Sequence, residues 1–87
     1  MRVVLYGRAA CCLCDVAESR ILALRERRPF DLVKVDVAAD PSLEARYGTT
    51  IPVVEVDGRV VSEGRFDERA VARALGLGGL LRRYRGC

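Results

Sequence analysis

The stretch VVLYGRAACCLCDVAESRILALRER, running from Val3 to Arg27, decides the architecture. Its first four residues, Val3–Tyr6, are β-branched, aliphatic or aromatic and read as a short buried strand. Gly7–Ala10 interrupt that run. From about Cys12 the apolar period changes: Leu13, Ala17, Ile21 and Leu24 recur at steps of three and four, with Glu18, Arg25 and Glu26 on the other side. The pattern predicts an amphipathic helix over about Cys12–Arg27, stopped by Pro29. DLVKVDV (Asp31–Val37) then alternates apolar and polar residues and predicts a second strand. Strand, helix and strand make a βαβ unit, whose right-handed crossover sets the two strands parallel.

Downstream, Asp40–Pro41 is a helix start, a capping carboxylate followed by proline at the first helical position. That short helix is expected to end at Tyr47–Gly48, with the glycine in the left-handed conformation. Ile51–Val56 reads as a third strand, and Asp57–Gly58 as a two-residue hairpin turn into a fourth, Arg59–Ser62. Asp67 caps a last helix, Glu68–Leu75, which Gly76 ends. The tail Leu77–Cys87 is Gly-rich and then basic, and both a frayed end and a short docked helix fit it. The order is β-α-β-α-β-β-α. It predicts one α/β domain over residues 1–87, with its core at about 2–76 and a tail at 77–87. A four-stranded mixed sheet would carry helices on both faces.

Composition narrows the classes. Eighty-seven residues, 51% hydrophobic and 31% charged, suffice for one small core. No run approaches the roughly 20 apolar residues that cross a bilayer. The apolar residues after Arg2 are too few for a secretory leader. A cytoplasmic, monomeric protein without membrane or nucleic-acid partners is the expectation. The net charge of +3 comes from 15 cations spread among 12 acids. Arg25–Arg28 (RERR) and Arg82–Arg85 (RRYR) cluster, but read as solvated surface.

Three of the four cysteines, Cys11, Cys12 and Cys14, lie within four residues, and the fourth is Cys87. A Cys11–Cys14 bridge closes almost no loop, so it cannot serve as a stability staple. Such clustering points to catalysis or metal binding. The motif sits where the first strand hands over to the first helix, and a helix N-terminus favours negative charge, hence thiolate. Cys11 would attack a substrate disulfide, and Cys14, one turn on, would resolve the mixed disulfide. Arg8 is a candidate for added positive charge near the thiolate. Pro52, beside a CxxC motif in this topology, is expected in cis, turning the Ile51 backbone outward to bind an extended thiol substrate. Asp15 complements the helix start. Cys12 reads as a side-facing residue or a third thiol, and Cys87 as a terminal thiol.

Val4-Leu5-Tyr6-Gly7-Arg8, Cys11-x-x-Cys14 and Thr50-Ile51-Pro52 together resemble a glutaredoxin, on the thioredoxin-like fold. The chain is still more similar to short bacterial glutaredoxin-like proteins whose motif usually reads Cys-His-Leu-Cys. There the likeness extends through Asp40-Pro41, Tyr47-Gly48, Ile51-Pro52-Val53 and Asp57-Gly58 to Arg65-Phe66-Asp67. The resemblance spans about Val3 to Leu75. It implies a thiol–disulfide oxidoreductase or electron carrier with no bound cofactor, acting on disulfide-containing proteins or glutathione mixed disulfides. It also implies a substrate-binding set of Arg8, Thr50, Ile51, Pro52, Gly64, Arg65 and Asp67. Glutathione is the implied co-substrate, and glutathione or a thioredoxin-reductase-type enzyme the implied reductant.

The departures are specific. Dithiol glutaredoxins carry Pro-Tyr between the cysteines, where this chain has Cys12-Leu13. Their Gly-Gly pair, which holds the γ-glutamyl end of glutathione, falls here on Ser62-Glu63 with Gly64 following. A carboxylate at Glu63 opposes glutathione binding; Arg65 and the helix start at Asp67 favour it. Thioredoxins proper have a buried Asp at Leu5 and a Trp at Ala10, so their pattern does not fit. Two other classes stay open. One is a thiolate site for zinc or an iron–sulfur cluster, which needs a fourth ligand because the chain has no histidine. The other is a redox-inactive binding module on the same fold.

Overall fold

A computed structural model describes residues 1–77. The elements run β1 (Arg2–Gly7), α1 (Cys12–Arg27), β2 (Asp31–Asp36), a 3₁₀ turn (Val37–Ala39), α2 (Pro41–Tyr47), β3 (Val53–Val56), β4 (Arg59–Glu63) and α3 (Glu68–Ala74). The sheet order is β2-β1-β3-β4. β1 pairs with β2 in parallel, Leu5 opposite Lys34 and Gly7 opposite Asp36. β1 and β3 are antiparallel, as are β3 and β4, with an irregularity between Val54 and Glu55. This is the mixed α/β sheet that the sequence predicts. The readings placed on residues 78–87, Cys87 included, lie outside the described residues.

The sheet's two faces are covered unequally. On one face Val3, Leu5, Val54 and Val56 pack against Ala17, Ile21 and Leu24 of α1 and Val71 and Ala72 of α3. On the other, Val53 and Tyr6 meet Val37 of the 3₁₀ turn and Tyr47 of α2. Burying an aliphatic side chain of this size stabilises by about 1.5–3 kcal/mol, so the first cluster dominates. It also fixes α1, and α1 carries the cysteine motif. Glu68 of α3 is buried and pairs with Arg20 of α1 at 2.5 Å, tying the two helices by a charge-assisted bond.

Several local predictions hold for the reasons given. The Asp57–Gly58 turn has positive φ at both residues, 50° and 85°, as a type I′ hairpin requires. Asp40 Oδ1 accepts from the Ser42 amide (2.9 Å) and hydroxyl (2.8 Å). Those bonds, the hydroxyl's foremost, hold the Asp40 carboxyl below its usual range. The cap is therefore present above the ordinary carboxylate pKa and is lost as pH falls through the lowered one.

Other boundaries moved. Gly7 continues β1 rather than breaking it, Val37 leaves β2 for the 3₁₀ turn, and Ile51 and Pro52 precede β3. Gly48 is not left-handed: its φ of −56° and ψ of −28° continue the helix. Glycine stands there for space, because a β-carbon would collide with the Glu44 carbonyl oxygen. No helix among the described residues is long and apolar enough to cross a membrane.

Neighbouring positions on α1 test the core. Ile21 is fully buried and Leu22 is exposed. Ile21→Ala is expected to cost about 2–5 kcal/mol in urea unfolding, and Leu22→Ala less than about 0.5 kcal/mol. Equal losses would contradict the packing described.

Candidate active site

The motif begins at the end of β1. Ala10 adopts φ of 57°, a left-handed conformation that costs a non-glycine residue about 1–2 kcal/mol. The chain thereby turns sharply into α1. Cys11 is the N-cap, in an extended conformation, and its Sγ accepts from the Cys14 amide at 3.2 Å. That amide belongs to the first turn, whose N–H groups lack helical partners. Cys11 and Cys14 are joined in a disulfide with Cα atoms 5.2 Å apart, within the ordinary range for such bridges. Cys11 is half-buried and Cys14 buried. Cys12, the first residue of α1, is exposed, and no described cysteine is a free thiol.

Cys14 is seated on Gly7. A β-carbon at residue 7 would stand 3.0 Å from Cys14 Sγ and 3.2 Å from its Cβ, a contact tight enough that Cys14 would have to shift by a few tenths of an ångström. Beside this contact opens a cavity of about 320 Å³, lined among others by Gly7, Arg8, Cys14, Asp15, Glu18, Lys34 and Asp36. Glu18 and Lys34 form an ion pair at 2.9 Å across it. Sequence reasoning missed Gly7, Glu18 and Lys34. Two signals were present: Glu18 lies four residues after Cys14, hence on its face. Lys34 lies on the helix-facing side of DLVKVDV, where Leu32 is apolar.

Arg8 lines the same cavity, but its guanidinium turns to α2. Nη2 donates to Glu44 Oε1 and to the Gly48 carbonyl, each at 2.8 Å. Its charge is balanced by Glu44, and the contact latches the β1–α1 loop to the end of α2. The other expected residues gather on a separate stretch. The Ile51–Pro52 bond is cis, and Pro52 is fully buried. The Thr50 carbonyl accepts from the Gly64 amide at 2.6 Å, joining that segment to the end of β4. Arg65 is exposed. Asp67 is committed to capping α3: its Oδ1 accepts from the Ala70 amide at 3.0 Å, while its own amide donates to Ser62 Oγ. Among the described residues no three Cys, Asp or Glu side chains converge as a metal site.

Comparison with known proteins agrees with this geometry. Residues 2–76 match the family model described as glutaredoxin-like domain (DUF836). An uncharacterized protein of Mycobacterium tuberculosis is 38% identical over 72 residues, covering 77% of this chain and 74% of that one. Among solved structures, a structural-genomics target from X. campestris is 29% identical, with a TM-score of 0.71 over 85% of this chain and 95% of that one. Oxidized Escherichia coli glutaredoxin is 27% identical, with a TM-score of 0.64 over 84% and 94%.

The Gly7 contact gives a direct test. Gly7→Ala is expected to destabilise the protein by about 1–3 kcal/mol through overpacking. It should also slow closure of the Cys11–Cys14 bridge, followed by mass spectrometry after oxidant addition. An unchanged closure rate and an unchanged unfolding midpoint would show that the contact does not constrain the sulfur.

Proposed function

This chain belongs to the glutaredoxin-like domain family, and on that footing we propose that it exchanges a Cys11–Cys14 dithiol with the disulfides of protein substrates. A thiol–disulfide redox role is the general property that the fold and the CxxC pair support. The observation that carries the reading further is the placement of Cys11. Its sulfur stands at a helix start with the Cys14 amide pointed at it, which lowers the cost of thiolate.

In the reductive direction, Cys11 thiolate attacks one sulfur of the substrate disulfide, and the other sulfur leaves as a thiolate that takes up a proton. Cys14 then loses its proton and attacks Cys11 Sγ, releasing the second substrate thiol. The substrate gains two electrons and the pair becomes the disulfide seen here. Burial of Cys14 directs incoming thiols to Cys11. The Thr50–Pro52 segment and Gly64 would receive the substrate backbone.

Protein disulfides suit the site better than glutathione. Glu63 stands exposed next to Gly64, and the Asp67 carboxylate already occupies the Ala70 amide in the first turn of α3. Exposed Arg65, beside Gly64, is the cation that would meet an anionic substrate group at this stretch. Glutathione or a thioredoxin-reductase-type enzyme is the proposed source of electrons, in the cytoplasm and with the protein as a monomer.

Alkylation and mass spectrometry across glutathione redox buffers test this. The wild type should form the Cys11–Cys14 bridge reversibly at about −180 to −270 mV, the range of dithiol carriers. Cys14→Ser should accumulate a mixed disulfide on Cys11, and Cys11→Ser should fall to the uncatalysed rate. A bridge that does not reopen at any poise would overturn the oxidoreductase reading. Glutathione trapped on Cys11 as readily as protein thiols would remove the preference argued above.

A further inference from the structure

The cavity behind Cys14 lies on the β2 side of the motif, on the flank formed by α1 and the parallel strands. Its walls follow from the elements that bound it. Glu18 is one turn beyond Cys14 on α1, and side chains on a helix lean toward the preceding turn. Lys34 is paired in register with Leu5, two residues before Asp36, the partner of Gly7. Both therefore flank the strand end on which Cys14 is seated, and their ion pair is 2.9 Å long. The side chains are 31% and 59% exposed respectively, so the pair stands at the mouth. A cavity of this volume with charged side chains on its wall admits water.

We propose that the Glu18–Lys34 pair sets the ionisation of the Cys14 thiol in the reduced protein, and through it the rate at which Cys14 resolves the mixed disulfide. The second half rests on the oxidoreductase reading above. Both are positioning residues, since they act through the charge around Cys14 without touching substrate. The charged groups that line this cavity together with Cys14 are Asp15 and Glu18 from α1, Lys34 and Asp36 from β2, and Arg8 from the connecting loop; Asp36 Oδ1 also accepts from the Ala38 amide. Cys11 and Cys12 adjoin Cys14 in the motif. Arg8 is balanced by Glu44 of α2, which leaves Lys34, paired with Glu18, as the cation opposing three carboxylates among the described residues of this cavity. Thiolate forms when the proton leaves Cys14 for water, and nearby negative charge opposes that step. Neutralising Glu18 releases the Lys34 charge and favours thiolate. Neutralising Lys34 releases the Glu18 charge and disfavours it.

The test uses a background in which Cys11, Cys12 and Cys87 are serine, so that Cys14 is the single thiol, titrated by the ultraviolet absorbance of thiolate. Glu18→Gln should lower the Cys14 midpoint by about half to one pH unit, the small end of what a neighbouring charge does. Lys34→Met should raise it by a similar amount, and the double variant should return close to the parent. Exposed pairs of this kind add little to stability, so the variants should fold. Shifts of one sign, or none, would overturn the proposal.

A second readout keeps the two readings apart. With Cys12 and Cys87 as serine, a chromophoric thiol is loaded on Cys11 and its release by Cys14 is followed against pH. Release with the midpoints displaced as in the titration supports the inference. Release with one common midpoint in all variants removes the link to rate. Failure of the unsubstituted pair to release the thiol at any pH would overturn the oxidoreductase reading, while the titration still decides the charge effect.

Discussion

Everything about the motif depends on how closely the first turn of α1 lies against the end of β1. The absence of a side chain at Gly7 permits that approach, and the Cys14 sulfur fills the space. With Cys14 seated there, its amide points at Cys11 Sγ and the two Cα atoms lie 5.2 Å apart. The rest of α1 keeps the approach in place, because Ala17, Ile21 and Leu24 are buried against the sheet. Core packing and redox geometry are thus one structure. Each turn of helix that packs on Val3, Leu5 and Val54 also holds the sulfur pair in register with the strand end.

The charges near the motif do not add up to a cationic thiolate site. Arg8, the nearest cation in sequence, is taken by Glu44 and the Gly48 carbonyl. Asp15 sits in the first turn of α1, where a carboxylate suits the helix dipole but competes with a thiolate for it. In the reduced pair proposed above, a Cys11 thiolate would therefore be stabilised by backbone amides at the helix start, the Cys14 amide first. Those donors are fixed by the helix and cost no reorganisation when charge appears.

Much of the fold was legible because its signals are local. The step change in apolar period at Cys12, Pro29 after α1, the Asp57–Gly58 turn and the Asp67 cap all act within a few residues, and each fell where expected. What was not legible is tertiary. Gly48 matches the sequence signature of a left-handed cap, yet its role is to clear the Glu44 carbonyl. The Arg8–Glu44 pair joins residues 36 positions apart, and no spacing rule announces it. Lys34 reads as the polar half of an alternating strand until the register with Leu5 puts it beside α1. Of the candidate site, the cysteines and the Ile51–Pro52 segment could be read from motif and order. The cavity could not, because it is made by one missing side chain and three elements.

The division of labour across the motif has a chemical logic. In the proposed exchange one flank, with Thr50, Pro52 and Gly64, would offer backbone, which recognises extended chains without reading their side chains. The other flank holds paired and unpaired charges around the buried Cys14. An attacking sulfur needs exposure and a stabilised anion, whereas a resolving sulfur needs shelter from outside thiols and a controlled proton. In the proposed exchange half-buried Cys11 would be the accessible sulfur of the two, placed at the helix start, and Cys14 would be sheltered by Gly7. Because backbone and one glycine supply the geometry, the residues between the cysteines are not needed to make it. Cys12-Leu13 can therefore stand between cysteines whose Cα atoms lie 5.2 Å apart, an ordinary separation for such a bridge.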